Sequence, residues 1–335
     1  MTASLRDAFM AVCRNWGLAV LVLLVNMALA AVLAEPLAGA IERDLEHTGA
    51  SVDMLYGFDH GWWKEWSERQ TGWTVNFGPD LLGSGFAAKS LDSLLKGQLP
   101  LRLFARGGEA EPGVEPAPTP GLDAVILALG AVYLLAQTFL TGGLLGVFRA
   151  PEGGWTVRGL LHGSGFYAGR LLRVMLLALA AAAVVFWLHA PLAGWMDARA
   201  RESVSETGAL AWSLGRHAFL LGALVLVHMV SSFAKVIVVV EERSSAALAF
   251  LSSLTFCMRN LGRTLGQYVM VAGAGLALLL AWRVLDGSLE VTGYKTQLVF
   301  LLLAQAFLLC RIGLRLVLLA GQVSLYRSRA TPGAS

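Results

Sequence analysis

The sequence predicts an all-α protein that crosses a membrane six times, and three observations carry that prediction. Of its 335 residues, 56% are hydrophobic and only 15% charged, against about 25% charged in an ordinary soluble domain. The apolar residues gather into six runs that each approach or exceed the roughly 20 needed to cross a hydrocarbon core. The remaining charges separate by sign between alternate connections. This composition excludes a disordered chain, a disulfide scaffold and an ordinary cytosolic enzyme. The net charge of +3 gives no reason to expect nucleic acid as a partner.

The six runs extend from Gly17 to Ala34, Leu122 to Phe148, Leu171 to Ala190, Ala209 to Ala234, Tyr268 to Leu285 and Gln297 to Val323. The first follows Arg6 and Arg14 and ends Val32-Leu33-Ala34, which also fits a signal-peptidase site. Retention is the expectation, because an internal repeat includes this span. Residues 35–123 carry fourteen acidic side chains against seven basic ones. Arg149, Arg158, Arg170 and Arg173 between spans two and three, and Lys235, Arg243, Arg259 and Arg263 between spans four and five, reverse that sign. Cations collect on the cytoplasmic side of a membrane, so both termini are expected inside and residues 35–123 outside. The expected division is an amphipathic helix and span one over 1–34, an external cap with a Pro-rich tether over 35–121, and spans two to six over 122–335.

Phe9-Met10-Ala11-Val12-Cys13-Arg14-Asn15-Trp16-Gly17, before span one, matches Leu254-Thr255-Phe256-Cys257-Met258-Arg259-Asn260-Leu261-Gly262, before span five. A weaker match precedes span three, where Glu152, Ser164 and Arg170 correspond to Glu241, Ser253 and Arg259. The inferred unit is an interfacial amphipathic helix, a span outward and a span back, present three times. Before span five, Leu248, Leu251, Leu254, Met258 and Leu261 recur at helical spacing beside Arg259, Asn260 and Arg263. Such a helix lies in the interface with its cations toward lipid phosphates, or braces the bundle from below.

In the external segment, helices are expected over 40–47, 52–69 and 86–95. Trp62, Trp63 and Trp66 read as an anchor at the outer interface, where an indole keeps one polar edge wet. A ligand platform is the alternative. Pro112, Pro116, Pro118 and Pro120 mark an extended tether into span two. His47, Asp53, Asp59 and His60 do not match a metal-ligand spacing. The three cysteines form no CxxC motif, and HExxH, GxSxG and Walker signatures are absent. No cofactor is therefore expected.

Charges inside hydrocarbon need a reason. Arg311 and Arg315 stand one turn apart on span six, and three explanations remain open: snorkelling to inner-leaflet phosphates, pairing with Glu241 or Glu242, or a lipid-headgroup or anion site within the bundle. Lys235 is expected to mark the inner interface, and with Arg259 and Arg263 completes the candidate lipid- or anion-binding set. His228 is read as polar glue between helices, with a proton relay as the alternative, and Asn26, Gln137 and Gln305 as glue. Gly142-Gly143 and Ser231-Ser232 are expected to permit close helix approach.

The stretch Val238-Val239-Val240-Glu241-Glu242-Arg243, followed by Ala246-Ala247-Leu248, Ser252-Ser253 and Arg259-Asn260, resembles the membrane domain of some bacterial glycerophosphodiester phosphodiesterases and its free-standing six-span relatives. The resemblance covers about half of the chain, mainly the second and third repeats. It implies a bacterial inner-membrane location. The soluble barrel with its metal-binding carboxylates is missing, so no catalytic residue carries over, and the Trp-bearing loop departs from the pattern. The expected function is non-enzymatic: organising lipid or a membrane partner complex, with a transporter or permease subunit as the alternative. Membrane lipids, a membrane protein or a second copy of the chain are the expected partners.

Overall fold

The structure is a computed structural model that describes residues 2–48, 59–69, 124–150, 154–289 and 294–330. Every regular element among them is a helix: α1 (Thr2–Arg14), α2 (Gly17–His47), α3 (His60–Arg69), α4 (Ala124–Arg149), α5 (Val157–Glu202), α6 (Glu206–Val240), α7 (Ala246–Arg259), α8 (Leu261–Ser288) and α9 (Tyr294–Ala330). Six of these, α2, α4, α5, α6, α8 and α9, are long and apolar enough to cross a membrane. This is the architecture of a multi-pass membrane protein.

Burial assigns the helices to two shells. α4, α6 and α9 touch one another, and the buried residues gather toward their C-terminal ends: Leu140 to Phe148, Met229 to Val239 and Leu316 to Tyr326. We call this the basic end, because Arg149, Arg243, Arg259 and Arg327 lie there. The spans α2, α5 and α8 lie outside this trio and expose leucines such as Leu24, Leu176 and Leu280. Apolar side chains facing outward suit a hydrocarbon solvent, in which exposing them costs nothing.

Helix starts and breaks follow from single side chains. Asn15 Nδ2 donates to the Ala11 carbonyl at 2.8 Å, and Asn260 Nδ2 donates to the Phe256 carbonyl at 3.1 Å. In each case the amide turns back on the preceding turn and the chain breaks, separating α1 from α2 and α7 from α8. The position 89 residues before Asn260 is Leu171, which is fully buried. With no amide to compete for the backbone, α5 runs unbroken for 46 residues. The separate amphipathic helix expected before span three is therefore the first part of α5. Thr156, Ser205 and Ser245 each cap the helix that follows them, accepting from the amides of Gly159, Gly208 and Leu248.

One packing contact recurs at the basic end. A Cβ added to Gly143 on α4 would lie 2.4 Å from the Leu160 carbonyl and 2.5 Å from Ser164 Oγ on α5. At α6, Ser253 of α7 donates to the Val230 carbonyl at 2.6 Å. On α9, a Cβ at Gly321 would lie 3.8 Å from that of Ala8 on α1. The short segment in front of each odd span thus packs on an even span: α5 on α4, α7 on α6, and α1 on α9. The last of these joins the beginning of the described chain to its final helix. The close approach expected at Gly142 and Gly143 is found there, against Tyr167, Leu171 and Leu160.

The segment outside the basic end differs from expectation. The helix expected over 40–47 is the continuation of α2, which passes through Ala34 and Pro36 without a break. Asp59 caps α3, its Oδ1 accepting from the amides of Gly61 at 2.8 Å and Trp62 at 3.1 Å. Trp62 and Trp66 are buried against Leu37, Ala40, Ile41 and Leu45 of α2, and Trp62 Nε1 donates to Asp44 at 2.9 Å. The segment therefore has a small core of its own, which the sequence reading did not anticipate. The expectations over 52–58 and 86–95 and the Pro-rich tether lie outside the described residues.

Gly143 and Gly146 offer a paired test. Gly143→Ala forces a methyl group onto a backbone carbonyl, whereas a Cβ at Gly146 meets nothing within 4 Å. Overpacking of this kind costs about 1–3 kcal/mol. Thermal unfolding in detergent is expected to show a midpoint several degrees lower for Gly143→Ala and an unchanged or slightly higher midpoint for Gly146→Ala.

Candidate functional site

Two groups of intramembrane polar residues link helices among the described residues. In the first, Arg315 Nη1 donates to Gln137 Oε1 at 2.9 Å, and Gln137 Nε2 donates to Asn26 Oδ1 at 2.6 Å. This chain ties α9 to α4 and α4 to α2. Arg311, one turn further from the basic end, is exposed and has no hydrogen bond or ion pair among the described residues. Both arginines line a half-open cavity of about 630 Å³, together with Asn26 and Met27 of α2, Tyr133 of α4 and Val271 of α8. Lys235 on α6 is half-buried.

The second group joins α6, α8 and α9. Ser232 Oγ donates to Gln322 Oε1 at 2.7 Å, and Gln322 Nε2 donates to Tyr268 Oη at 3.1 Å. His228 Nδ1 lies 3.0 Å from the same phenol oxygen. His228 is thus one member of an interhelical network. Gln267 adds a bond of 3.0 Å from Nε2 to the Gly321 carbonyl.

The carboxylates at the end of α6 have partners other than those expected. Glu241 pairs with Arg243 at 2.5 Å and accepts from Tyr326. Glu242 pairs with Arg149 at 2.6 Å. Arg311 and Arg315 bond to neither glutamate, for a geometric reason. Tyr326 is level with Glu241, and Arg315 stands eleven residues back along α9, about 16 Å of helical rise. Arg315 is exposed along part of its length and spends one donor on Gln137.

Arg149 joins three elements at the basic end. It donates to Glu242, to the Val239 carbonyl at 3.1 Å and to Tyr167 Oη at 3.3 Å, while its own carbonyl accepts from Arg327 at 2.9 Å. Arg170 donates to the Glu242 carbonyl at 3.0 Å. Glu242 has a φ of 55°, the left-handed conformation that closes a helix and normally favours glycine. These bonds hold a glutamate there against its Cβ strain.

Arg259 lies apart from the cavity, in a groove of about 440 Å³ with Ser252, Thr255, Asn260, Tyr326 and Arg329. Arg263 is exposed in the first turn of α8. The candidate cation set is therefore split: Arg311 and Arg315 line one cavity, Lys235 stands on α6 outside its lining, and Arg259 and Arg263 belong to the basic-end surface. Cys257 is buried in α7, and burial pushes its thiol up to about 11, so it is protonated at neutral pH. Of the expected tryptophan anchor, only Trp63 is left partly exposed. Trp187 and Trp195 are instead exposed on the later part of α5, the helix that carries Asp197, whose two carboxylate oxygens both accept from Arg216 Nη1 at 2.6 Å.

Arg149, Tyr268, Gln322 and Tyr326 are interaction centres that composition and spacing do not single out. A tyrosine opening span five and a glutamine inside an apolar run were the available signals. No protein-family model, curated protein or solved structure matches this chain.

The left-handed Glu242 yields a discriminating pair of substitutions. Glu242→Ala loses the Arg149 pair and keeps the backbone strain. Glu242→Gly loses the pair but relieves roughly 1 kcal/mol of strain, comparable to the most an exposed ion pair contributes. Unfolding midpoints are expected to fall for Glu242→Ala and to stay near wild type for Glu242→Gly.

Proposed function

We propose that this chain is a non-enzymatic inner-membrane protein, built from three copies of a helical hairpin, that organises lipid or a membrane partner at its cytoplasmic side. The observation that carries this reading is the exposed face of α7. Leu248, Leu251, Leu254 and Met258 all lie open on one side of that helix, while Arg259 and the nearby Arg263 are exposed cations. A helix of this kind buries its apolar face at the headgroup boundary and attracts anionic lipid with its charges. Phe9 and Met10 on α1, and Leu161 and Phe166 on α5, are exposed in the same way. Three such segments around a central trio form a collar that fits a lipid-organising role. The positive end faces the cytoplasm in this reading, by the usual bias of cationic loops.

A transporter or permease subunit is the second reading, and the half-open cavity that reaches Arg311 favours it. Its walls are mostly aliphatic, which suits a lipid better than a hydrated solute.

The test is electron spin resonance of spin-labelled phosphatidylglycerol and phosphatidylcholine in vesicles containing the protein. The wild type is expected to restrict the anionic probe severalfold more than the zwitterionic one, and R259Q/R263Q to reduce that preference. Equal restriction of the two probes by the wild type contradicts the lipid-organising reading.

A further inference from the structure

Arg311, Arg315 and Lys235 place three cationic side chains in the inner parts of α9 and α6 without a matching acid. α4 and α9 contain no Asp or Glu at all. α6 has none after Glu206, α8 has none before Asp286, and α2 has none before Glu35. Within the described residues, the spans around these cations therefore supply no carboxylate at their depth. Arg315 is partly satisfied by the neutral amide of Gln137. Arg311 and Lys235 have no hydrogen-bond or ion-pair partner among the described residues.

Charges at this depth are costly, and they persist where they pair, reach water or hold a substrate. Taking Gly321, where α1 crosses α9, as the level of the interface, Arg315 lies about 9 Å and Arg311 about 15 Å further into the membrane. α2 and α8 both pack on α9 but make little contact with one another, and the cavity of about 630 Å³ lies between them. Asn26 and Tyr133 add polar groups beside the arginines, while Leu23, Met27, Val271 and Leu308 supply apolar wall. A cationic pair set in an aliphatic groove complements an anionic amphiphile.

We propose that this cavity binds the phosphate headgroup of an anionic membrane phospholipid, drawn below the interface onto Arg311 and Arg315, with acyl chain along the α2 and α8 walls. Two arginines one turn apart present several donors to phosphate oxygens. The site shares its ligand class with the lipid-organising reading but is distinct from the surface of α7, so each can fail without the other.

Native mass spectrometry of the full chain, titrated with phosphatidylglycerol and separately with phosphatidylethanolamine, tests the assignment. The wild type is expected to hold one phosphatidylglycerol through delipidation. R311Q/R315Q should weaken that adduct at least tenfold, whereas R259Q/R263Q should leave it in place. Should loss of the Gln137 bond unfold R311Q/R315Q, Arg311→Gln alone applies, because Arg311 makes no bond within the protein. An adduct unchanged in the folded Arg311 variant overturns the proposal. So does equal retention of phosphatidylethanolamine, or binding of inorganic phosphate without phosphatidylglycerol. Loss of spin-probe selectivity in R259Q/R263Q with the single adduct intact separates the two sites.

Discussion

The bundle depends on small residues that let one helix backbone approach another. Lipid tails are as apolar as leucine, so hydrophobicity alone gives a span no preference for a neighbour over the surrounding bilayer. Close packing and hydrogen bonds must supply it. Gly143 brings α5 against α4, the backbone of α6 at Val230 receives Ser253 of α7, and Gly321 brings α1 against α9. In each case the segment before an odd span grips an even span. The three grips surround the trio of α4, α6 and α9, and the third connects the earliest helix to the last.

Much of this was legible in the sequence because it rests on local composition. Hydropathy alone marks six spans, and the paired Arg-Asn motifs mark the breaks at Asn15 and Asn260. What composition does not encode is how far a helix continues once it leaves hydrocarbon. α2 runs to His47 and α5 to Glu202, since no proline-glycine turn or competing side chain stops them. Pro36 and Pro191 both lie inside helices. The tryptophans were read from a general preference for interfaces, but Trp62 and Trp66 find an apolar strip on that extension of α2. The strip becomes visible only once the extension itself is known.

The charged residues show the same division. Which residues are unusual was plain from their place in apolar runs, but their partners depend on depth. The pairing of Arg311 or Arg315 with Glu241 or Glu242 required both partners at one level, and helical rise separates them. Glu241 and Glu242 instead join Arg243, Tyr326 and Arg149 at the basic end, where four helices meet and water screens the charges. Of the arginines of span six, Arg315 bonds the neutral amide of Gln137. The result is a gradient from paired charges at the surface to uncompensated cations inside, the distribution expected where the missing counter-charge comes from the bilayer.

The bundle closes through the packing of α1 on α9, and one cross-link tests that contact directly. Ala8→Cys and Gly321→Cys, introduced together with Cys13, Cys257 and Cys310 replaced by Ser, place two Cβ atoms 3.8 Å apart, the usual spacing in a disulfide. After oxidation and proteolytic cleavage between α3 and α4, the N- and C-terminal fragments should migrate together on a gel until reductant is added. Fragments that separate without reductant, from a protein that unfolds at the temperature of its cysteine-free parent, contradict the account.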